Sequence, residues 1–121
     1  MHVLHIDDSP EICDLYSDMF TVDNHTIKSV NSGKEGLDLV VKNDYDLILL
    51  DMCMPKYNGM DFLRDLKNQR PSELKKVIVI SVLKFSGTQI KELLKFGIHG
   101  VEEKPSNLQQ LEIIKKNTWL K

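Results

Sequence analysis

Short apolar segments alternate along the chain with segments of helical periodicity. The apolar segments span residues 2–6, 25–30, 46–50, 77–81 and 99–103. The helical segments span residues 9–20, 33–42, 59–69, 87–97 and 106–117. In the first of them, apolar side chains recur at the i, i+3, i+4 and i+7 spacing of one helix face, at Ile12, Leu15, Tyr16 and Met19. The pattern predicts five successive strand–helix units.

Two of the predicted strands contain apolar runs in place of an apolar–polar alternation. The runs are "LILL" at 47–50 and "VIVI" at 77–80. Such strands need cover on both faces, which is typical of a parallel sheet with helices on each side. Because strand–helix–strand connections are right-handed, few arrangements remain. We therefore predict an α/β fold with a doubly wound, five-stranded parallel sheet of order 2-1-3-4-5, a flavodoxin-like topology.

The length and charge of the chain suit one domain without a membrane or nucleic-acid signature. The 121 residues fit a single domain over 1–121. The formal net charge of -2 gives no overall attraction to nucleic acid or acidic lipid, and no segment reads as a signal peptide or membrane span. Cys13 and Cys53 are most simply free thiols in a reducing cytoplasm, although a bridge between them stays open. We expect a cytoplasmic protein that binds neither membrane nor nucleic acid.

Polar side chains follow the carboxyl ends of four predicted strands. They are Asp7 and Asp8 after the first strand, Asp51 after the third, Ser81 at the end of the fourth and Lys104 after the fifth. In such sheets the functional site lies outside the carboxyl ends, near the point where strand order reverses. That point lies between the first and third strands here. We therefore expect three acids, a hydroxyl and an amine to meet at one edge of the sheet.

This set of side chains predicts a Mg²⁺ site beside a nucleophilic carboxylate. Three carboxylates in close proximity repel one another, and a divalent cation with hard oxygen ligands relieves the repulsion. We expect Asp8, Asp51 and the backbone carbonyl of Cys53 to be direct ligands, with Asp7 acting largely through water. Lys104 is expected to lie beside Asp51 and keep it ionised. With the cation, it would neutralise an incoming phosphoryl group, to which Ser81 could donate a hydrogen bond.

Four motifs of the chain resemble the receiver domains of two-component response regulators. They are "HIDDSP", "LILLDMCMPKYNG", "VIVIS" and "EEKPS". The second is the most specific, because "MP" follows the aspartate by three and four residues and glycine follows it by eight. Together the motifs cover essentially the whole chain.

The resemblance implies a role for each of these side chains. Asp51 would accept a phosphoryl group from the phosphohistidine of a sensor histidine kinase, forming an acyl phosphate that later hydrolyses. Asp7 and Asp8 match the acidic pair of the family, Ser81 the switch hydroxyl and Lys104 the lysine. The peptide bond between Lys104 and residue 105 is usually cis in the family.

The resemblance also implies the kind of protein. It would assist its own phosphorylation and dephosphorylation and would not be a turnover enzyme on an external substrate. We expect a stand-alone receiver whose output is binding to a downstream protein that the sequence does not identify. A homodimer stays open.

The sequence departs from the usual receiver pattern at positions near the site. Val101 stands where the family often has an aromatic residue, and Val82 stands where alanine is common after the switch hydroxyl. Cys53 and Leu83 occupy positions that tune autodephosphorylation in the family, and neither orients water well. We therefore expect a slow loss of the phosphoryl group. The departures at Val82 and Val101 keep an alternative open, an interaction module that has the fold but is not regulated by phosphorylation.

Two other functions fit the sequence less well. A haloacid-dehalogenase-like phosphotransferase needs a second aspartate two residues after the first, but position 53 is cysteine. A flavodoxin-like carrier of FMN needs a first loop that cradles phosphate, and the acidic "DDSP" at 7–10 would repel one.

Overall fold

A single parallel sheet organises the part of the chain that the computed structural model describes, which is residues 1–22, 24–82 and 84–104. The strands in these residues are β1 (His2–Ile6), β2 (Thr26–Val30), β3 (Leu47–Asp51), β4 (Val77–Ser81) and β5 (Gly100–Glu103). They are ordered β2-β1-β3-β4-β5, and every neighbouring pair is parallel. The predicted fold class and strand order are confirmed.

Helices follow the first four strands. They are α1 (Pro10–Val22), α2 (Gly33–Lys42), α3 (Gly59–Gln69) and α4 (Gly87–Leu94), and a short 3₁₀ helix spans Pro71–Lys76. The predicted helix over 106–117 lies outside the described residues. None of the described helices combines the length and the apolar character that crossing a membrane requires.

Besides shifts of one or two residues at other element ends, two predictions of local structure differ from the observed elements. The segment between α3 and β4, which falls outside the predicted strands and helices, forms the 3₁₀ helix. Helix α4 was expected to continue to Gly97, but it ends at Leu94. The N–H groups of Phe96 and Gly97 then donate to carbonyls three residues back, at 3.1 and 2.9 Å, which tightens the last turn. Gly97 has a φ of +87°, a value that favours glycine.

The sheet is buried between two apolar layers. Along β3, Ile48 and Leu50 belong to the cluster that packs against α2 and α3, whereas Leu47 and Leu49 belong to the cluster that packs against α1. All five residues of β3 are buried, and so are all five of β4. The continuous apolar runs are therefore explained by cover on both faces. Asp51 ends the central strand of this sheet.

Candidate functional site

The sheet backbone positions the polar side chains at its carboxyl edge. Asp7 follows β1 directly, and its N–H donates to the carbonyl of Val30 at 3.0 Å, which extends the β1–β2 pairing by one residue. Asp51 is the last residue of β3 and pairs with Ile80 of β4. The N–H of Lys104 donates to the carbonyl of Ser81 at 2.7 Å, just after β5 ends. Each side chain is thus attached to a segment held by the hydrogen bonds of the sheet.

One lysine bridges two buried carboxylates at this edge. The Nζ atom of Lys104 lies 2.8 Å from Oδ2 of Asp7 and 3.3 Å from Oδ1 of Asp51. Asp7 is 0% exposed and Asp51 is 1% exposed, and the lysine side chain is 8% exposed. A buried ion pair needs close geometry and further hydrogen bonds to offset its desolvation. The short distances around Lys104 meet the first of these requirements.

Backbone N–H groups supply some of the further hydrogen bonds. The N–H of Ser9 donates to Oδ1 of Asp7 at 2.9 Å, and the N–H of Cys53 donates to Oδ1 of Asp51 at 3.2 Å. Both are contacts from a carboxylate to the backbone two residues on, a common turn motif of aspartate. Oδ2 of Asp51 is buried and has no hydrogen-bond partner among the described residues. A buried acceptor left unpaired costs free energy, so this atom favours a cation or another ligand at the site.

The pKa values of the two buried carboxylates shift in opposite directions, because the neighbours of Asp7 outweigh its burial and those of Asp51 do not. Burial raises the pKa of Asp51 to about 6, and the negative charge of Asp7 adds to the effect, while Lys104 opposes it. Burial also opposes ionisation of Asp7, but contacts from His5, Lys104 and the Ser9 N–H outweigh it and hold the pKa of Asp7 below its ordinary value. The pKa of Lys104 is raised, since the two carboxylates outweigh its burial. Lys104 lies beside Asp51, as expected, but it is closer to Asp7. Its charge does not fully offset the effect of burial on the pKa of Asp51.

The three acids form an arrangement that fits a divalent cation. Asp7, Asp8 and Asp51 each offer a carboxylate oxygen, and these oxygens all lie within 4.8 Å of one another. Asp8 is exposed, so the group is open to solvent on that side. Carboxylates with room for water are the environment that Mg²⁺ prefers. Together with the unpaired Oδ2 of Asp51, the donor set fits the predicted metal.

The roles predicted for Cys53 and Ser81 stay predictions. Cys53 is exposed and has a free thiol, and Cys13 is buried and also free. Ser81 is fully buried at the end of β4. Through its carbonyl, Ser81 is linked to the backbone of Lys104.

The positions that depart from the family pattern differ in exposure. The Val82 side chain is 70% exposed. Val101 is partly buried and packs against the apolar cluster beneath α2 and α3. Leu83 and the peptide bond from Lys104 to residue 105 involve positions outside the described residues.

A buried histidine that was not predicted from the sequence also touches the site. His5 is fully buried, and its Nε2 atom lies 3.6 Å from Oδ2 of Asp7. Its ring packs against the ring of Tyr16, with centroids 4.5 Å apart and planes inclined by 49°. The period of a strand could have indicated this neighbour, because residues two apart face the same side of a sheet. His5 stands two residues before Asp7.

Comparison with known sequences identifies the family. The family model described as "Response regulator receiver domain" matches residues 3–115. The response regulator SaeR of Staphylococcus aureus strain USA300 is 35% identical over 69 residues, which are 57% of this chain and 30% of SaeR. The chain thus aligns with less than a third of the length of this curated relative.

Solved structures agree with the family match. The receiver domain of Francisella response regulator 1452 superposes with a TM-score of 0.78 at 29% identity and covers 96% of this chain and 93% of its own. The N-terminal domain of a response regulator receiver protein from Methanoculleus marisnigri JR1 gives 0.78 at 26% identity, covering 95% and 94%. The chemotaxis response regulator CheY4 of Vibrio cholerae gives 0.82 at 23% identity, covering 96% of each chain, and this likeness shows the fold alone. The chain belongs to the response regulator receiver domain family.

Proposed function

We propose that Asp51 accepts a phosphoryl group from the phosphohistidine of a sensor histidine kinase, in a transfer that depends on Mg²⁺. The observation that carries this proposal is the environment of the Asp51 carboxylate. It is buried at the end of a central strand, held through Oδ1 by a backbone N–H and a lysine, and left with Oδ2 unpaired among the described residues. A rigidly mounted, desolvated carboxylate with one oxygen available suits a nucleophile.

The chemistry is an in-line transfer between two nucleophiles. A carboxylate oxygen of Asp51 forms a bond to phosphorus, and the bond from phosphorus to the kinase imidazole nitrogen breaks. The electron pair of that bond leaves with the imidazole, and the product on this chain is an acyl phosphate. Water later attacks the acyl phosphate and restores the carboxylate, releasing inorganic phosphate.

The surrounding side chains neutralise charge during the transfer. Lys104 already lies 3.3 Å from Oδ1 of Asp51 and can approach the phosphoryl oxygens without crossing the protein. The hydroxyl of Ser81, at the end of the adjacent strand, is the proposed hydrogen-bond donor to one of those oxygens. Asp8 and Asp51, the carbonyl of Cys53, and Asp7 through water would hold Mg²⁺. When bound, Mg²⁺ supplies positive charge that reduces the repulsion between the acids and the phosphoryl group.

The proposed output is a change in protein–protein binding. A displacement of Ser81 toward the phosphoryl group would pull on the 2.7 Å hydrogen bond from its carbonyl to the N–H of Lys104, and so on the end of β5. Val101, on β5, has no ring to rotate, so the proposed signal travels through the backbone. We place the domain, over 1–121, as a cytoplasmic signalling module whose partners are a sensor kinase and a downstream protein, without a role for nucleic acid or membrane.

Phosphorylation of the purified protein tests the proposal. Incubation with acetyl phosphate and Mg²⁺ should add the mass of one phosphoryl group in intact-mass spectrometry, and chelation of the metal should prevent it. Asp51→Asn should abolish the addition. Asp14→Asn is the matched control, because Asp14 is exposed on α1. If the unaltered protein gains no phosphoryl group from acetyl phosphate, and binds no beryllofluoride either, the interaction module that is not regulated by phosphorylation replaces this proposal.

A further inference from the structure

The buried imidazole of His5 has no hydrogen-bond partner among the residues that the structure describes. His5 is fully buried, and neither of its ring nitrogens is hydrogen-bonded within the described part of the chain. Buried polar atoms in proteins are nearly always paired, since an unpaired one costs free energy. A buried histidine with unpaired ring nitrogens, directly behind the Asp7 carboxylate, is therefore expected to gain a hydrogen bond in another state of the protein.

The ring of His5 is placed to donate one hydrogen bond toward Asp7. A neutral imidazole carries one N–H, which can reside on either nitrogen. The Nε2 atom faces Oδ2 of Asp7 at 3.6 Å, a distance too long for a hydrogen bond but short enough to become one after a small movement. The carboxylate is the natural acceptor for an N–H at that nitrogen.

Oδ2 of Asp7 forms an ion pair with Lys104 but accepts no hydrogen bond within the described part of the chain. The lysine is closer to this atom, at 2.8 Å, than to Oδ1 of Asp51, at 3.3 Å. A phosphoryl group on Asp51 would bring more negative charge to that side of the lysine. Lys104 would then be drawn from Asp7 toward the phosphoryl oxygens. Asp7 is 0% exposed, so departure of the lysine would leave a buried acceptor that needs another donor.

We propose that His5 is a positioning residue whose Nε2–H becomes the hydrogen-bond donor to Oδ2 of Asp7 when Lys104 leaves its ion pair with Asp7 for the phosphorylated Asp51. The inference rests on the proposed function, because it needs a phosphoryl group at Asp51. With His5 in place, Asp7 keeps its orientation while the lysine is engaged elsewhere. Groups that orient a metal-binding carboxylate from behind commonly contribute tenfold or more to affinity.

Nuclear magnetic resonance of the ring tests the geometry. Beryllofluoride with Mg²⁺ serves as the mimic of the phosphoryl group. The ¹⁵N and ¹H resonances of His5 should show the proton on Nε2, and this proton should move downfield when beryllofluoride is added. A proton found on Nδ1 in both states, or an Nε2–H resonance that does not respond, would overturn the proposal.

Substitutions that keep or remove a donor at the Nε2 position test the energetic role. The amide nitrogen of His5→Gln can occupy the place of Nε2, whereas that of His5→Asn corresponds to Nδ1, and His5→Phe has no donor. The dissociation constant for beryllofluoride at saturating Mg²⁺ should be near that of the unaltered protein for His5→Gln. It should rise about tenfold for His5→Asn and His5→Phe.

Control measurements distinguish a failure of the proposed function from a failure of the role of His5. His99→Asn changes an exposed histidine and should leave the dissociation constant unchanged. An unaltered protein that binds no beryllofluoride refutes the proposed function, and the role of His5 with it. If the unaltered protein and all three His5 variants bind beryllofluoride equally tightly, only the role of His5 is refuted. If His5→Asn and His5→Phe do not fold, the resonances of the unaltered ring decide.

Discussion

Replacing Asp51 with asparagine should make the metal-free protein more stable at pH 7. Burial and the charge of Asp7 raise the pKa of Asp51 from 3.8 to about 6. The folded protein therefore holds this proton more tightly than the unfolded chain does. Folding stability consequently decreases as pH rises from about 4 to about 6, and the whole loss is present at pH 7. Asparagine resembles the protonated acid in size and carries no charge, so it avoids this loss.

The pKa difference sets the size of the effect. A difference of about two pH units corresponds to about 3 kcal/mol, at about 1.4 kcal/mol per unit. Water that reaches the edge of the sheet beside the exposed Asp8 screens part of the interaction. The substitution should therefore increase the free energy of unfolding by about 1–3 kcal/mol. The protein is therefore less stable than it could be, because it keeps a charged and reactive carboxylate buried.

Urea unfolding followed by circular dichroism measures the effect. Asp51→Asn and the unaltered protein are compared at pH 7 and about pH 4, with the metal chelated. The difference between them should shrink at the lower pH, because Asp51 is then largely protonated in the folded state. Adding Mg²⁺ at pH 7 should also reduce the difference, because the metal stabilises the charged form. Asp14→Asn, on the exposed side of α1, should change stability by no more than a few tenths of a kcal/mol.

The reasoning is refuted by either of two results. Asp51→Asn could be no more stable than the unaltered protein at pH 7, or its advantage could be the same at both pH values. The first result would mean that the folded protein solvates the Asp51 carboxylate as well as water does. The second would mean that the advantage has nothing to do with the charge of Asp51.

Three further substitutions test packing and capping contacts, each by urea unfolding. Gly36→Ala adds a methyl group that would lie 2.5 Å from Cδ1 of the buried Ile6, and overpacking of about 1–3 kcal/mol should exceed the roughly 1 kcal/mol gained in helix propensity. Asn58→Ala removes half of the reciprocal capping box with Asp61 at the start of α3 and should cost about 1 kcal/mol. Arg70→Met removes two 2.9 Å hydrogen bonds to carbonyls at the end of α2 and should cost about 1–3 kcal/mol.

Matched variants distinguish the loss of these specific contacts from a nonspecific loss of stability. Gly87→Ala, where an added methyl meets nothing within 4 Å, should be neutral or stabilising, and equal behaviour of Gly36→Ala would contradict the close contact. Asn58→Asp keeps a capping oxygen and should restore most of the stability. Arg64→Met, on a side chain 60% exposed, should cost little. If it costs as much as Arg70→Met, the hydrogen bonds from Arg70 to the carbonyls at the end of α2 are not the cause.

Local sequence pattern was sufficient for most of the secondary structure. The bounds predicted for β1 and β4 agree with those observed, and α2 and α3 agree as well. These elements carry strong periodicity or clear capping residues, and both signals act within a few residues of the chain. The end of α4 and the 3₁₀ helix were missed, because a tightened turn depends on how the chain must enter the next strand.

The convergence of the acids could also be predicted. Parallel strands end at the same edge of a sheet, so acids that follow β1 and β3 must lie near one another once the strand order is known. The observed 4.8 Å limit among the oxygens of Asp7, Asp8 and Asp51 agrees with that expectation. The sequence by itself therefore determined which acids meet at this edge, through hydrophobic periodicity and the positions at which polar residues interrupt it.

Only the tertiary structure decided how charge is shared within the site. Lys104 was expected to serve Asp51, but it lies closer to Asp7, and His5 stands behind that carboxylate. These relations depend on differences of less than an ångström between side chains that are distant in sequence. Electrostatic energy inside a protein is sensitive to such differences, because little water is present to screen them. Periodicity identifies which residues face the site, and packing decides which of them are partners.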